Sequence, residues 1–311
     1  MKSTRRGFMK AAAIGAGALA LSPVAAHASK AITFGPDEVG MLYDSSLCVG
    51  CQACVTACRN SNFNLDDTVS LAPADTAEVR WANVQELDYR TKNIIKMYQN
   101  PENKSEYAFI KRQCMHCNAP GCVSACPVKA MTKNPETGIV EYDKGICIGC
   151  RYCQMACPFN VPSWEWHETF PKIVKCELCR ETNLKTKGMP SCVETCPVKA
   201  VIYGKRTDLM AEAKRRIAEK PGYYFQDKVY GEHEYGGTNV IYIAKVDFEK
   251  LGMPTLPDYS YATESETIQH TIYKWMAAPA ALYVTLCAIA LKHQFKRDKD
   301  ERNNDHKGGH A

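Results

Sequence analysis

Sixteen of the seventeen cysteines in this 311-residue chain fall into four sets of four. Cys48, Cys51, Cys54 and Cys58 are spaced C-x2-C-x2-C-x3-C, and Cys147, Cys150, Cys153 and Cys157 repeat that spacing and run into Pro158. Cys114, Cys117, Cys122 and Cys126 read C-x2-C-x4-C-x3-C before Pro127. Cys176, Cys179, Cys192 and Cys196 hold twelve residues between the inner pair and precede Pro197. A cubane iron–sulfur cluster takes four thiolates at the corners of a tetrahedron. Two-residue gaps let one tight loop supply three of them, and the fourth cysteine, three residues on, reaches a neighbouring cluster. Structural zinc also uses C-x2-C knuckles, but it would leave the third and fourth cysteine of each set idle. Disulfides are the other option in an exported chain. Thiols two residues apart in successive loops make poor pairs, however, and an odd total cannot pair completely. The pattern therefore predicts four 4Fe–4S clusters on sixteen iron-ligating cysteines, with Cys287 left over inside an apolar run.

The sets also form an internal repeat. Residues 122–130 (CVSACPVKA) and 192–200 (CVETCPVKA) agree at seven of nine positions, and 48–58 and 147–157 at six of eleven. Two kinds of half-module thus each occur twice. Short strands must position them. After Pro127 come the segment 128–132, the turn Asn134-Pro135-Glu136-Thr137-Gly138 and a second strand over 139–142, which is a hairpin signal placing the second and third sets in one unit. The stretches 40–44, before the first set, and 200–204, after the fourth, read as the two halves of an equivalent hairpin. The expected fold class is α+β: two ferredoxin-like 2x(4Fe–4S) modules, one inserted in the other, plus a C-terminal transmembrane helix. The expected boundaries are a signal peptide at 1–28, the first half of the outer module with an insertion at 29–106, and the inserted module at 107–160. The second half of the outer module follows at 161–222, then a C-terminal extension at 223–274, an anchor at 275–291 and a tail at 292–311.

Charge and hydropathy give the two ends their own reading. Residues 1–28 carry Lys2, Arg5, Arg6 and Lys10 without an acid, then a weak apolar run and Ala26-His27-Ala28, an A-x-A cleavage pattern. The segment Thr4-Arg5-Arg6-Gly7-Phe8-Met9-Lys10 resembles a twin-arginine export signal, a route for proteins folded with their cofactor. Residues 275–291 are uncharged and bounded by Lys274 and Lys292, at the lower length limit for a membrane-spanning helix. Lys292, Lys296 and Arg297 beyond it place the tail in the cytoplasm and the body outside. Between the ends the basic and acidic residues nearly cancel at 29 and 30, so the body has no electrostatic footprint for nucleic acid.

These residues, together with MLYD at 41–44, YAFIKRQCMHC at 107–117 and IQHTIYK at 268–274, resemble the four-cluster iron–sulfur electron-transfer subunits of respiratory oxidoreductases. Within them they resemble the type that serves periplasmic nickel–iron hydrogenases. The resemblance covers residues 40–292, although 59–106 carries no motif of its own. It implies a cross-over of ligands: Cys48, Cys51, Cys54 and Cys196 on a first cluster, and Cys176, Cys179, Cys192 and Cys58 on a second. Cys114, Cys117, Cys122 and Cys157 would hold a third, and Cys147, Cys150, Cys153 and Cys126 a fourth. It further implies the small and large hydrogenase subunits and a quinone-reactive integral membrane subunit as partners, with the body on the periplasmic face of the cytoplasmic membrane. Subunits of molybdenum enzymes such as formate dehydrogenase look similar around the clusters, but they commonly travel on a partner's export signal.

The remaining segments add packing. Residues 207–220 read as a helix capped by Thr207, with Leu209, Met210, Ala213 and Ile217 on one face and Pro221-Gly222 as its stop. Residues 230–237 are turn-rich and lead into a strand at 240–244. His116, between two ligands, is expected to be exposed or hydrogen-bonding. Lys129 and Lys199, three residues after the last cysteine of their sets, either tune a cluster or are simply solvated. No nucleotide fingerprint, nucleophile motif or open metal site is visible, so no catalytic residue is expected.

Overall fold

The computed structural model describes residues 34–63, 86–166, 168–169 and 171–305. The chain divides into residues 1–32 and 33–311, and all described residues lie in the second unit. The expected export signal lies outside the described residues.

A three-stranded sheet anchors the fold. Strand β1 (Val39–Asp44) lies in its centre, antiparallel to β8 (Val201–Lys205) and parallel to β9 (Val240–Ile243). The two expected hairpin halves thus pair across more than 150 residues, with Met41 opposite Tyr203 and Tyr43 opposite Val201. Alternation along β1 explains why both faces are covered. Met41 and Tyr43 face the main core, which contains Cys114, Cys117, Cys176 and Cys192. Leu42 faces the other way, onto the helix Arg206–Glu219, whose Leu209, Ala213 and Ile217 pack with Ile241 and Ile243. Each such buried side chain contributes about 1.5–3 kcal/mol. Gly40 is required where β9 enters: a Cβ there would meet the Asn239 carbonyl oxygen at 1.8 Å.

The second expected hairpin also forms, with β4 (Met131–Lys133) antiparallel to β5 (Val140–Tyr142). Two further ribbons complete the strands. One pairs β2 (Ile94–Gln99) with β3 (Tyr107–Arg112), and the other pairs β6 (Ser163–Trp164) with β7 (Ile173–Val174). β9 ties the units together, because the Asn239 and Val240 N–H groups donate to the His116 and Met115 carbonyls beside the second cysteine set.

Two expectations are corrected. Thr207 does not cap the helix: it sits inside the first turn, and Lys205 holds the N-cap position with no side-chain bond. β8 runs straight into this helix because Arg206 is drawn inward, its N–H donating to Glu38 O at 2.8 Å and its Nε to Thr238 O at 2.8 Å. The apolar run 275–291 is not one continuous helix. Trp275 ends the helix Tyr261–Trp275, the chain turns at Met276, and a second helix spans Ala277–Asp305. Among the described residues no helix is long and apolar enough to cross a membrane. Counting the apolar window from Trp275 ignored that turn, and the longer helix gains its length from the charged residues 292–305.

Candidate metal centres

The repeat in sequence becomes a repeat in backbone conformation. In the first and third sets Gly50 and Gly149 adopt positive φ, and so do Gln52 and Arg151 two residues later. These left-handed residues turn the loop so that Cys54 and Cys153 enter the helices Ala53–Asn62 (α1) and Tyr152–Met155. In the second and fourth sets the matching pairs are His116 with Leu178 and Lys129 with Lys199. Side-chain-bearing residues at positive φ are uncommon and cluster where a site over-determines the backbone. Proline sets the helix lengths. Pro127, Pro158 and Pro197 end their turns at once, whereas Arg59 follows Cys58 and lets α1 continue to Asn62.

All seventeen cysteines are free thiols, which removes the disulfide alternative. Their mutual electrostatics sort sixteen of them into four groups. Burial pushes Cys48 and Cys54 up, and the charges of Cys51 and Cys196 add to this. These four thiols line one cavity together with Tyr43, Gln52 and Lys111. Cys58, Cys176 and Cys192 are each pushed by burial to about 12, and share the influence of Cys179. Cys117 and Cys122 are raised by burial and by Cys114 and Cys157. Cys153 is pushed to about 12 by burial and then by Cys147, Cys150 and Cys126. In every group one thiol comes from a different set than the other three.

The groups also influence one another in series. Cys54 acts on Cys192, Cys114 on Cys176, and Cys153 on Cys122. The order is therefore first, second, third, fourth, and the exposed thiols Cys51 and Cys150 lie in the two end groups.

Several donors point at sulfur. The Gly50 and Leu178 N–H groups lie 3.4 Å from Cys48 Sγ and Cys176 Sγ, and the Ala130 N–H lies 3.2 Å from Cys126 Sγ. The Asn62 amide spans Cys58 Sγ (3.8 Å) and Cys179 Sγ (3.4 Å), the latter 117 residues away in sequence. Such bonds favour the ionised, metal-ligating form. Among the described residues no three His, Cys, Asp or Glu side chains converge on a point as a single ion requires; the thiols of Cys48, Cys51, Cys54 and Cys196 instead line a shared cavity. Buried polar atoms without a partner fit the same reading: Gln52 Nε2 lines the first cavity, and Trp164 Nε1 lies in the core with Cys153 and Cys126. The residues present fit four-thiolate clusters.

His116 is fully buried, not exposed, and its Nδ1 accepts the Val140 N–H at 2.9 Å. Burial and the charges of Lys175 and Lys133 hold it well below the usual imidazole range, so it is neutral. Lys129 and Lys199 are exposed, as solvated lysines are. Sequence reasoning missed the two lysines that are buried, Lys111 and Lys175, and the bridging Asn62. For Lys111 a signal existed in retrospect: it is a cation inside an otherwise apolar strand segment, AFIK at 108–111.

Fold and site together define an iron–sulfur protein of the ferredoxin type. The 4Fe-4S dicluster domain is matched twice, over residues 105–206 and over 47–130. Those matches follow contiguous sequence, whereas the strand pairing joins 39–44 to 201–205. The hydrogenase-2 operon protein HybA of Escherichia coli O157:H7 is 42% identical over 332 aligned positions, covering 97% of this chain and 99% of that protein. The formate dehydrogenase-O iron-sulfur subunit of Escherichia coli K12 is 31% identical over 279 positions, covering 87% of this chain and 88% of that protein. The protein NrfC of Escherichia coli K12 is 32% identical over 198 positions, covering 64% and 79%. The chain belongs to the HybA family of 4Fe–4S dicluster proteins.

Proposed function

We propose that this chain relays electrons between a periplasmic nickel–iron hydrogenase and a quinone-reactive integral membrane subunit through four 4Fe–4S clusters. The observation that carries the reading is the series of four thiol groups with exposed thiols only in the end groups. When bound, each cluster takes up and releases one electron, and iron saturated by four thiolates offers no open position for bond chemistry. The ligand sets we assign are Cys48, Cys51, Cys54 and Cys196; Cys176, Cys179, Cys192 and Cys58; Cys114, Cys117, Cys122 and Cys157; and Cys147, Cys150, Cys153 and Cys126. The chain's part is to hold these thiols, exclude water from all but the ends and supply N–H groups to sulfur.

The hydrogenase is preferred as donor because similarity to HybA runs over nearly the whole of both chains at 42%. A molybdenum oxidoreductase such as formate dehydrogenase is the alternative, at 31%. In the same reading residues 107–160 form a module inserted between 29–106 and 161–222, and residues 1–28 direct twin-arginine export. The body then lies on the periplasmic face, held through residues 275–291. Support for membrane attachment comes from Leu282, Tyr283, Val284, Leu286, Ile289 and Leu291, all at least half exposed on Ala277–Asp305.

Anaerobic purification of the full chain tests the reading. About sixteen irons and sixteen labile sulfides per chain are expected, and zinc without broad visible absorption refutes it. Co-purification decides the donor: a molybdopterin subunit in place of a hydrogenase overturns that assignment.

A further inference from the structure

Lys111 is the most deeply buried lysine of the described residues, 1% exposed. It is placed by β3, where it pairs with Ile95, and its carbonyl accepts the Tyr242 hydroxyl at 3.0 Å. Its ammonium donates to Gln113 Oε1, and Gln113 in turn reaches Met41 Sδ at 3.2 Å. Among the described residues it forms no ion pair with a carboxylate. A buried ammonium without a counter-charge is strongly unfavourable, and lysines so placed ordinarily give up their proton. Here the counter-charge is at hand, because Lys111 lines the cavity bounded by Cys48, Cys51, Cys54 and Cys196. Its positive charge is felt by Cys54 and likewise by Cys58, Cys176 and Cys192. Cys54 belongs to the first thiol group and Cys192 and Cys176 to the second, so one ammonium serves both. Cys153 of the fourth group differs: the groups acting on it are thiols and the Gln154 backbone.

We propose that Lys111 is a fixed positive charge shared by the first and second thiol groups, a positioning residue that raises the reduction potentials of the two clusters held there. This rests on the four-cluster reading. A four-thiolate cubane carries about two negative charges when oxidised and about three when reduced. A nearby cation therefore stabilises the reduced form more, and no proton needs to move. Because Lys111 is buried and lines the same cavity as the thiols, its charge is screened far less than that of an exposed lysine.

Potentiometric titration of the full chain, followed by EPR, tests it. In Lys111→Met with full iron and sulfide content, two of the four midpoints fall by at least a tenfold change in the reduced-to-oxidised ratio, about 59 mV for one electron. The other two stay in place, and Lys199→Gln, removing an exposed lysine beside Cys196, moves none. Unchanged midpoints in Lys111→Met overturn the proposal, as does an equal shift of all four or an equal effect of Lys199→Gln. If Lys111→Met loses iron, Lys111→Arg decides: full iron with unchanged midpoints supports the charge, and loss of iron there assigns Lys111 to packing and overturns it. Failure of the four-cluster reading itself would show separately, as low iron and sulfide in the unmodified chain.

Discussion

Cys58 is the sharpest test of how the thiols are shared. It sits four residues after Cys54 on α1, yet its thiol answers to Cys192 and Cys179, and Asn62 clamps it to Cys179. If each sequence set held its own cluster, Cys58 would share one with Cys48. In the structure its thiol is grouped with Cys176, Cys179 and Cys192, and the proposed sharing follows that grouping. Paired substitutions separate these schemes by counting. Cys58→Ala with Cys176→Ala removes two thiols from one group and leaves three groups whole. The expected content is about twelve of sixteen irons and three undisturbed cluster signals. Cys58→Ala with Cys48→Ala instead removes one thiol from each of two groups. Only two signals then remain undisturbed, and iron falls to about eight if both crippled sites empty. Iron and sulfide analysis with EPR of the dithionite-reduced protein reads both. The reverse pattern, with three undisturbed clusters in the Cys48 and Cys58 double variant, would refute the crossed sharing.

Other outcomes follow from the same geometry. Asn62→Leu removes the amide shared by Cys58 and Cys179; losing about 1 kcal/mol of hydrogen bonding to the reduced state lowers one midpoint by roughly 40 mV in the same titration. Gly40→Ala forces a Cβ against the Asn239 carbonyl at 1.8 Å; a loss of about 1–3 kcal/mol is expected as a drop of several degrees in thermal unfolding, and an unchanged Tm would contradict the close approach. In the metal-stripped chain Cys58, Cys176 and Cys192 stay protonated to about 12, against 9.0 for an ordinary thiol. Because the unfolded chain gives up these protons first, the stability from them is complete below about pH 9. It drains by about 1.4 kcal/mol per thiol per pH unit as pH rises toward 12. Urea unfolding across that range checks the slope, which disappears once metal has already displaced the protons. Truncation after residue 274 should move the protein from the membrane fraction to the soluble fraction; retention in the membrane would place the attachment elsewhere.

The iron–sulfur class was legible because cluster binding is written in short spacings. C-x2-C-x2-C-x3-C names its chemistry wherever the loop ends up, and the duplicated CVxxCPVKA segments announce two modules. The strand halves at 40–44 and 200–204 could be matched for the same local reason: each has the apolar, turn-bounded pattern of a half hairpin, and they pair antiparallel. The terminal run was misread because hydropathy is additive along the chain while helix continuity is not, and the turn at Met276 falls inside the counted window.

What only the tertiary structure decided is everything that depends on distance between remote segments. The parallel addition of β9 to β1, the influence of Cys54 on Cys192, and the Asn62 bridge all join residues more than 100 positions apart. The exposed Lys129 and Lys199 had drawn attention by their regular spacing, whereas the lysine that faces the thiols, Lys111, sits in a strand with no cysteine in it. A ligand motif is a covalent, local property and survives in the sequence. The field around a ligand is a sum over charges and dipoles in space, fixed only when β3 is packed beside thiols that segments 48–58 and 176–196 bring together.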